Sequence, residues 1–238
     1  MDRTTGRRSR AVLSLLVLTL AVATAATAMA VDVRGRLALP SDYGEAEEGP
    51  EDAAGRRYYW DEWNGFLDPR ERGFDAARDL AVVLTGGEMA PEQPGFRLAN
   101  GGLWPTTIVE RAGATLRIEN TDPVSHQLYA EGHDELTPTP TSPGLTRQLV
   151  VASAGDWAVA DAVYGHVTGH LHVLPDLVAR AEIQSDGTYA FRNVPPGTYT
   201  LKVFHGERMI HSQEGVEVPD GRELTLDPIE IGAAGSEG

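Results

Sequence analysis

The stretch that decides the fold is Asp161-Ala-Val-Tyr-Gly-His-Val-Thr-Gly-His-Leu-His-Val173, together with Thr115-Leu-Arg-Ile-Glu-Asn-Thr-Asp-Pro-Val-Ser-His126. Each combines a run of strand-forming residues with a polar turn that holds a histidine. Similar short runs recur through residues 80–175, separated by turn residues. This spacing predicts a β-sandwich or barrel. The predicted strands are 80–85, 107–110, 114–119, 127–130, 146–152, 157–161 and 170–174.

A second pattern follows towards the C-terminus. Ser185-Asp-Gly187 is a turn signal that predicts a hairpin, and Asn193-Val-Pro-Pro-Gly-Thr-Tyr-Thr-Leu-Lys-Val-Phe204 combines a tight corner with a strand. In that strand Tyr199, Leu201 and Val203 share one face. The chain is therefore expected to continue as β-structure.

These patterns resemble two known families. Residues 103–109, 113–122, His126 and the run into Val173 resemble the cupredoxins. Residues 185–204 resemble the carboxypeptidase regulatory-like domain, a transthyretin-type sandwich with a carbohydrate-binding-like fold. The combination is similar to bacterial exported proteins that join the two. It implies an all-β fold of two β-sandwiches, a cupredoxin-like Greek-key domain and a carboxypeptidase regulatory-like sandwich.

The resemblance also implies a discontinuous organisation. Residues after 176 lack the opening strands of a regulatory-like sandwich, and Val31–Leu39 and Leu80–Thr85 resemble those strands. We therefore predict a signal peptide at 1–30; a regulatory-like sandwich at 31–85 plus 176–234, with an acidic and aromatic insert at 41–78; a cupredoxin-like domain at 86–175; and a disordered tail at 235–238.

The N-terminus has the pattern of a secretory signal peptide. Arginines precede an apolar run at 11–23, and Ala28-Met29-Ala30 precedes the expected cleavage site at Val31. The protein is therefore predicted to be exported, periplasmic or extracellular, without stable membrane insertion after cleavage; an uncleaved anchor is the alternative. Its formal net charge of −15 at pH 7 disfavours nucleic acid as a partner.

The resemblance also indicates what the copper site has lost. The second cupredoxin loop reads C-D-x-H-x-x-M-x-G; aligned on Gly169, its cysteine falls on Asp161, its histidine on Tyr164 and its methionine on Val167. Of the four expected ligands, His126 alone matches. Because type 1 copper needs a thiolate and the chain has no cysteine, type 1 electron transfer is excluded.

A different metal site is an open alternative. His126, Asp161, Tyr164 and His166 could converge at the former ligand end and offer nitrogen and oxygen donors to Cu(II) or Zn(II). The other interpretation is that this end has lost its metal, so no cofactor is assigned with certainty.

His170 and His172 form a second candidate pair. They lie two residues apart on a predicted strand and therefore share one face, at a spacing that one zinc ion can bridge. Leu171 and Val173 are expected to fill the core, which directs both histidines towards solvent or the other domain.

Aromatic residues are concentrated between residues 56 and 78. Tyr58, Tyr59, Trp60 and Trp63 could form a platform for a glycan or for a protein of the cell envelope. The alternative is that these rings pack locally against a sandwich.

No catalytic motif is evident: the sequence has no serine-hydrolase elbow, metalloprotease H-E-x-x-H or phosphate-cradling glycine loop. The sequence therefore predicts a non-enzymatic exported binding or structural protein, built on a cupredoxin scaffold that has lost its type 1 copper site. The alternatives are an extracytoplasmic copper or zinc binding protein with a His-rich site, and a protein that recognises a glycan or an envelope partner.

Overall fold

The structure is a computed structural model that describes residues 29–44, 73–88 and 95–232. Strands dominate these residues, which confirms the all-β prediction. Most of the predicted signal peptide, the residues Tyr58, Tyr59, Trp60 and Trp63, and the predicted tail lie outside the described residues. Within the described ranges, no helix has the length and apolar character needed to cross a bilayer.

One short helix and 17 strands make up the described chain. In chain order they are β1 (Val31–Ala38), α1 (Ala76–Asp79), β2 (Leu80–Thr85), β3 (Gly95–Ala99), β4 (Gly102–Trp104), β5 (Thr107–Arg111), β6 (Ala114–Asn120), β7 (Leu128–Ala130), β8 (Thr146–Val151), β9 (Gly155–Asp161), β10 (Thr168–Leu174), β11 (Leu177–Arg180), β12 (Glu182–Ile183), β13 (Thr188–Val194), β14 (Gly197–His205), β15 (Arg208–Val218), β16 (Leu224–Thr225) and β17 (Ile229–Glu230).

β1, β2 and β11 to β17 form one sandwich, called the outer sandwich below. Its sheets have the strand orders β12-β13-β1-β16, with β17 also paired to β1, and β11-β2-β14-β15. β1 joins this core through alternation, since Val31, Val33 and Leu37 are buried while Arg34 is exposed. Strands that precede residue 95 therefore share sheets with strands that follow residue 176.

β3 to β10 form the second sandwich, called the inner sandwich. Its sheets have the orders β4-β3-β6-β8 and β5-β10-β9-β7. The pairs β3–β6 and β5–β10 are parallel, and the other pairs are antiparallel. Leu116, Ile118 and Asn120 of β6 point inwards in alternation, and the core contains Trp157 of β9 and Leu171 of β10. The two candidate histidine-bearing stretches thus lie in opposite sheets of one sandwich.

Local hydrogen bonds stabilise two turns of the outer sandwich. Gly187, between β12 and β13, has φ +81°, and its N–H donates to Gln184 O at 2.9 Å. After the Pro-Pro-Gly corner, Tyr199 Oη donates to Pro195 O at 2.9 Å. A positive φ favours glycine at the first turn, and the tyrosine hydroxyl holds the second.

The two sandwiches meet in a buried junction. Gly206 N, in the turn between β14 and β15, donates to Thr107 Oγ1 of the inner sandwich at 2.8 Å. Thr106 N donates to Arg78 O at 2.9 Å, close to the end of α1. The apolar part of the junction is a separate small cluster of Val83, Val109, Leu177 and Phe204.

Candidate functional site

His126 lies in the turn between β6 and β7, which is held by the buried side chain of Asn120. Asn120 Nδ2 donates to Val124 O at 2.8 Å and to Thr141 O at 2.7 Å, while its Oδ1 accepts from Asp122 N at 2.9 Å. An isolated bridge also pairs the backbones of His126 and Thr141. These contacts fix the turn so that the His126 side chain is enclosed, with 0% of its surface exposed.

Both ring nitrogens of His126 face carboxylates. Nδ1 lies 2.8 Å from Asp161 Oδ2, and Nε2 lies 3.2 Å from Asp122 Oδ2. Both aspartates are buried as well. An ionised carboxylate accepts hydrogen bonds and donates none, so a ring that satisfies both partners donates from both nitrogens and is positively charged. Asp122, His126 and Asp161 are called the His126 triad below.

The protonation of the triad follows from these contacts. Burial lowers the pKa of His126, but its hydrogen bonds to Asp122 and Asp161 and their negative charges outweigh burial and raise the pKa to about 9. Burial raises the pKa of both aspartates, and hydrogen bonds from His126 and the backbone outweigh it, so both pKa values are lowered. At neutral pH the imidazolium is therefore ion-paired with two carboxylates.

Asp161 is the last residue of β9 and organises the loop that follows it. Its Oδ1 accepts from Val163 N at 2.7 Å and from Tyr164 N at 3.0 Å. Its Oδ2 accepts from Gln127 N at 3.2 Å and contacts His126. Asp161 is therefore the acceptor for three backbone N–H groups and one imidazolium.

Of the four residues predicted for the first metal site, the structure places two in direct contact, His126 and Asp161. The Tyr164 ring lies edge-on to His126, with 5.1 Å between the ring centroids. His166 Nε2 lies 3.1 Å from Gly101 O, and its ring centroid lies 6.4 Å from that of Tyr164. Across the described ranges, no group of three or more His, Cys, Asp or Glu residues is arranged to hold a metal ion.

His170 and His172 lie apart from this end, on β10 where it faces the outer sandwich. His172 Nδ1 contacts Asp156 Oδ1, and its Nε2 lies 2.7 Å from Gly206 O across the junction. The His172 ring packs on Phe204, with 4.3 Å between the ring centroids. Burial and the neighbouring His172 lower the pKa of His170. The sequence predicts that His172 faces either solvent or the other domain. In the structure its side chain faces the outer sandwich.

Asp122 is the functional residue that sequence reasoning missed. It belongs to the quoted stretch and precedes His126 by four residues, but the resemblance assigns it no role. Its Oδ2 accepts from Gly101 N at 3.0 Å and lies against His126 Nε2. The available signal was a carboxylate and a histidine that share one short turn.

A type 1 copper ion does not fit these residues. The chain has no cysteine to supply the thiolate. His126 has no free nitrogen lone pair while both nitrogens donate to carboxylates, and a metal binds only the deprotonated nitrogen. Val167, at the axial methionine position, is a fully buried core residue without a ligand atom.

A cavity of about 450 Å³ lies between the two sandwiches. Apolar side chains such as Leu80, Val109 and Val178 form much of its lining, with Arg180 and Arg192 at its polar part. Its volume falls within the roughly 300–1,000 Å³ range of small-ligand sites. No sequence pattern indicates this cavity, because its walls come from strands far apart in the chain.

No protein-family model matches this chain, and no curated protein matches it. Solved structures of cupredoxins are similar to part of it. A purple cupredoxin from Nitrosopumilus maritimus is 15% identical over 34% of this chain and 99% of its own, with a TM-score of 0.31. Amicyanin from Paracoccus versutus is 12% identical over 39% of this chain and 96% of its own, with a TM-score of 0.32. A Cu-containing nitrite reductase from Thermus scotoductus is 14% identical over 43% of this chain and 27% of its own, with a TM-score of 0.31.

Proposed function

We propose that this chain is a non-enzymatic exported binding or structural protein whose inner sandwich has a cupredoxin-like arrangement without a redox copper centre. The observation that carries the proposal is the His126 triad: both nitrogens of the one remaining ligand-type residue face carboxylates, at 2.8 and 3.2 Å. A ring that donates from both nitrogens cannot coordinate a metal.

The outer sandwich would serve as a spacer or docking module that holds the inner sandwich in a defined orientation. Support comes from the junction, where Phe204 is buried and Gly206 makes backbone hydrogen bonds to Thr107 and His172. Interfaces with a buried apolar centre and satisfied polar groups favour one relative orientation. The cavity between the sandwiches supports a binding role for the same region.

Metal retention tests this function. The untagged full-length chain is loaded with Cu(II) or Zn(II), excess metal is removed, and the metal per chain is compared with a His126→Ala variant. We expect no metal above the level of the variant. Stoichiometric metal in the native chain that is lost in His126→Ala would overturn the proposal and favour an extracytoplasmic copper or zinc binding protein.

The partner is expected to be a glycan or an envelope protein that the residues Tyr58, Tyr59, Trp60 and Trp63 contact. We expect Trp60→Ala and Trp63→Ala to weaken recovery of the chain with cell-envelope material while its melting temperature stays unchanged. A large fall in melting temperature would instead mean that these rings belong to the packing of the protein.

A further inference from the structure

We infer that Asp161 is the residue that decides what the former ligand end holds: it keeps a doubly protonated His126 there in place of a metal ion. This inference rests on the proposed function and names the residue responsible for it.

Neither ring nitrogen of His126 has a lone pair left for a metal ion. A neutral imidazole offers one nitrogen lone pair to a metal, and an imidazolium offers none. His126 is enclosed, and no solvent reaches its ring. With Asp161 Oδ2 at 2.8 Å from Nδ1 and Asp122 Oδ2 at 3.2 Å from Nε2, each nitrogen is directed at an acceptor.

The lone pairs of Asp161 are occupied as well. A carboxylate has about four sites that accept hydrogen bonds. Asp161 receives the N–H groups of Val163, Tyr164 and Gln127 in addition to that of His126. Its acceptor capacity is filled, so a cation that approached Asp161 would have to break a hydrogen bond that holds the loop or the triad.

Two aspartates contact His126, and they differ in what they connect it to. Asp122 lies within the same turn as His126 and receives Gly101 N. Asp161 ends β9, which pairs with β7, the strand that follows this turn. Its contacts connect the turn to the 161–167 loop, where the other predicted ligand positions lie. Replacing Asp161 by cysteine removes the carboxylate acceptor at Nδ1, so that nitrogen could lose its proton and bind a metal ion together with the new thiolate.

Nitrogen-15 NMR of the metal-free full-length chain at neutral pH tests the state of the ring directly. We expect both His126 ring nitrogens to show the chemical shifts of protonated nitrogens, with His126→Gln used to assign them. A ring with one unprotonated nitrogen would overturn the inference even if the native chain takes up no metal, and the proposed function would then stand without it.

Metal loading of Asp161→Cys tests whether Asp161 is the residue that keeps a metal ion out of this site. With Co(II) as the probe, we expect stoichiometric binding and a sulfur-to-cobalt charge-transfer absorption in Asp161→Cys, and neither in the native chain nor in Asp161→Ser, the matched control. A folded Asp161→Cys that binds no more cobalt than Asp161→Ser would overturn the inference. If Asp161→Cys does not unfold cooperatively, the NMR result alone decides. Metal in the native chain that is lost in His126→Ala would overturn the proposed function as well.

Discussion

At the residue scale, the His126 triad shows how one acidic side chain changes the chemistry of a buried site. A carboxylate is a strong acceptor for several N–H donors, whereas the sulfur of a cysteine thiol is a weak acceptor. Four N–H groups surround Asp161, so its neighbourhood suits a carboxylate. Buried charges are tolerated when they are paired and hydrogen-bonded, and the loss of one partner leaves an uncompensated charge.

The triad predicts a pH dependence of stability. The pKa of His126 is raised from 6.5 to about 9, so the protonated ring is favoured in the folded state. Its contribution to the free energy of unfolding is fully present below pH 6.5 and is lost as the pH rises through about 9. The loss is on the order of 3 kcal/mol. Urea unfolding across this window measures it.

The control for this prediction is His126→Gln, which has no titrating ring. The variant is expected to be less stable at neutral pH and to show no fall in the free energy of unfolding across the same window. A native profile that stays level through pH 9 would contradict the charged state of His126.

Sequence reasoning could place His126 and Asp161 at one end of a sandwich, because the two stretches that contain them have the order and pattern of known ligand loops. It could not predict that Asp122 is the partner of His126 Nε2, or which way the His166 side chain points. Tyr164 and His166 are two residues apart in an irregular loop, where no period fixes which way a side chain points. Those details depend on backbone hydrogen bonds to Asp161 and Gly101.

At the scale of the elements, alternation of apolar and polar residues predicted several of the strands that lie over a core. The run predicted at 114–119 is observed as β6, and the run at 146–152 as β8. β15 was not predicted, because it lies at the edge of its sheet and most of its residues are exposed, which leaves no apolar face to recognise. β3 and β4 are short, and they were missed as well.

The hairpin turn at Gly187 predicts a stability difference between two glycines. A Cβ at Gly187 would lie 2.7 Å from Leu37 O, in addition to the unfavourable φ of +81°. Gly132 has a similar φ of +80° with no atom within 4 Å of its Cβ position. We expect Gly132→Ala to lose about 1 kcal/mol and Gly187→Ala to lose more. Equal losses in thermal or urea unfolding would contradict the contact with β1.

Two buried tyrosines of the outer sandwich are expected to differ in how the loss of the hydroxyl group changes the stability of the protein. Tyr199 Oη donates to Pro195 O, so Tyr199→Phe is expected to lose about 1 kcal/mol of stability. Tyr189 Oη has no hydrogen-bond partner among the described residues, and burial raises the pKa of Tyr189 to about 12. Tyr189→Phe is therefore expected to be neutral or stabilising. The comparison fails if Tyr189→Phe is the more destabilised variant in urea unfolding.

At the scale of the whole molecule, the junction determines whether two sandwiches behave as one body. Thr107→Val keeps the shape of the side chain but leaves Gly206 N without its acceptor. We expect a loss of about 1–3 kcal/mol and faster hydrogen exchange of the Gly206 amide. Thr85→Val is the matched control, since Thr85 is equally buried and its hydroxyl makes a longer contact, 3.4 Å, within the outer sandwich. Unchanged exchange at Gly206 in Thr107→Val would mean that this contact does not couple the sandwiches.

The pairing of β1 with β17 has a mechanical consequence. The two strands are parallel neighbours near opposite ends of the described chain, with Leu37 opposite Ile229. A force applied at the two ends loads this pair in shear, so its hydrogen bonds resist together instead of opening one by one. Because β3 to β10 lie between β2 and β11 in the chain, the inner sandwich bears no tension until the outer one yields. Under such a force we expect the outer sandwich to unfold before the buried triad bears any load.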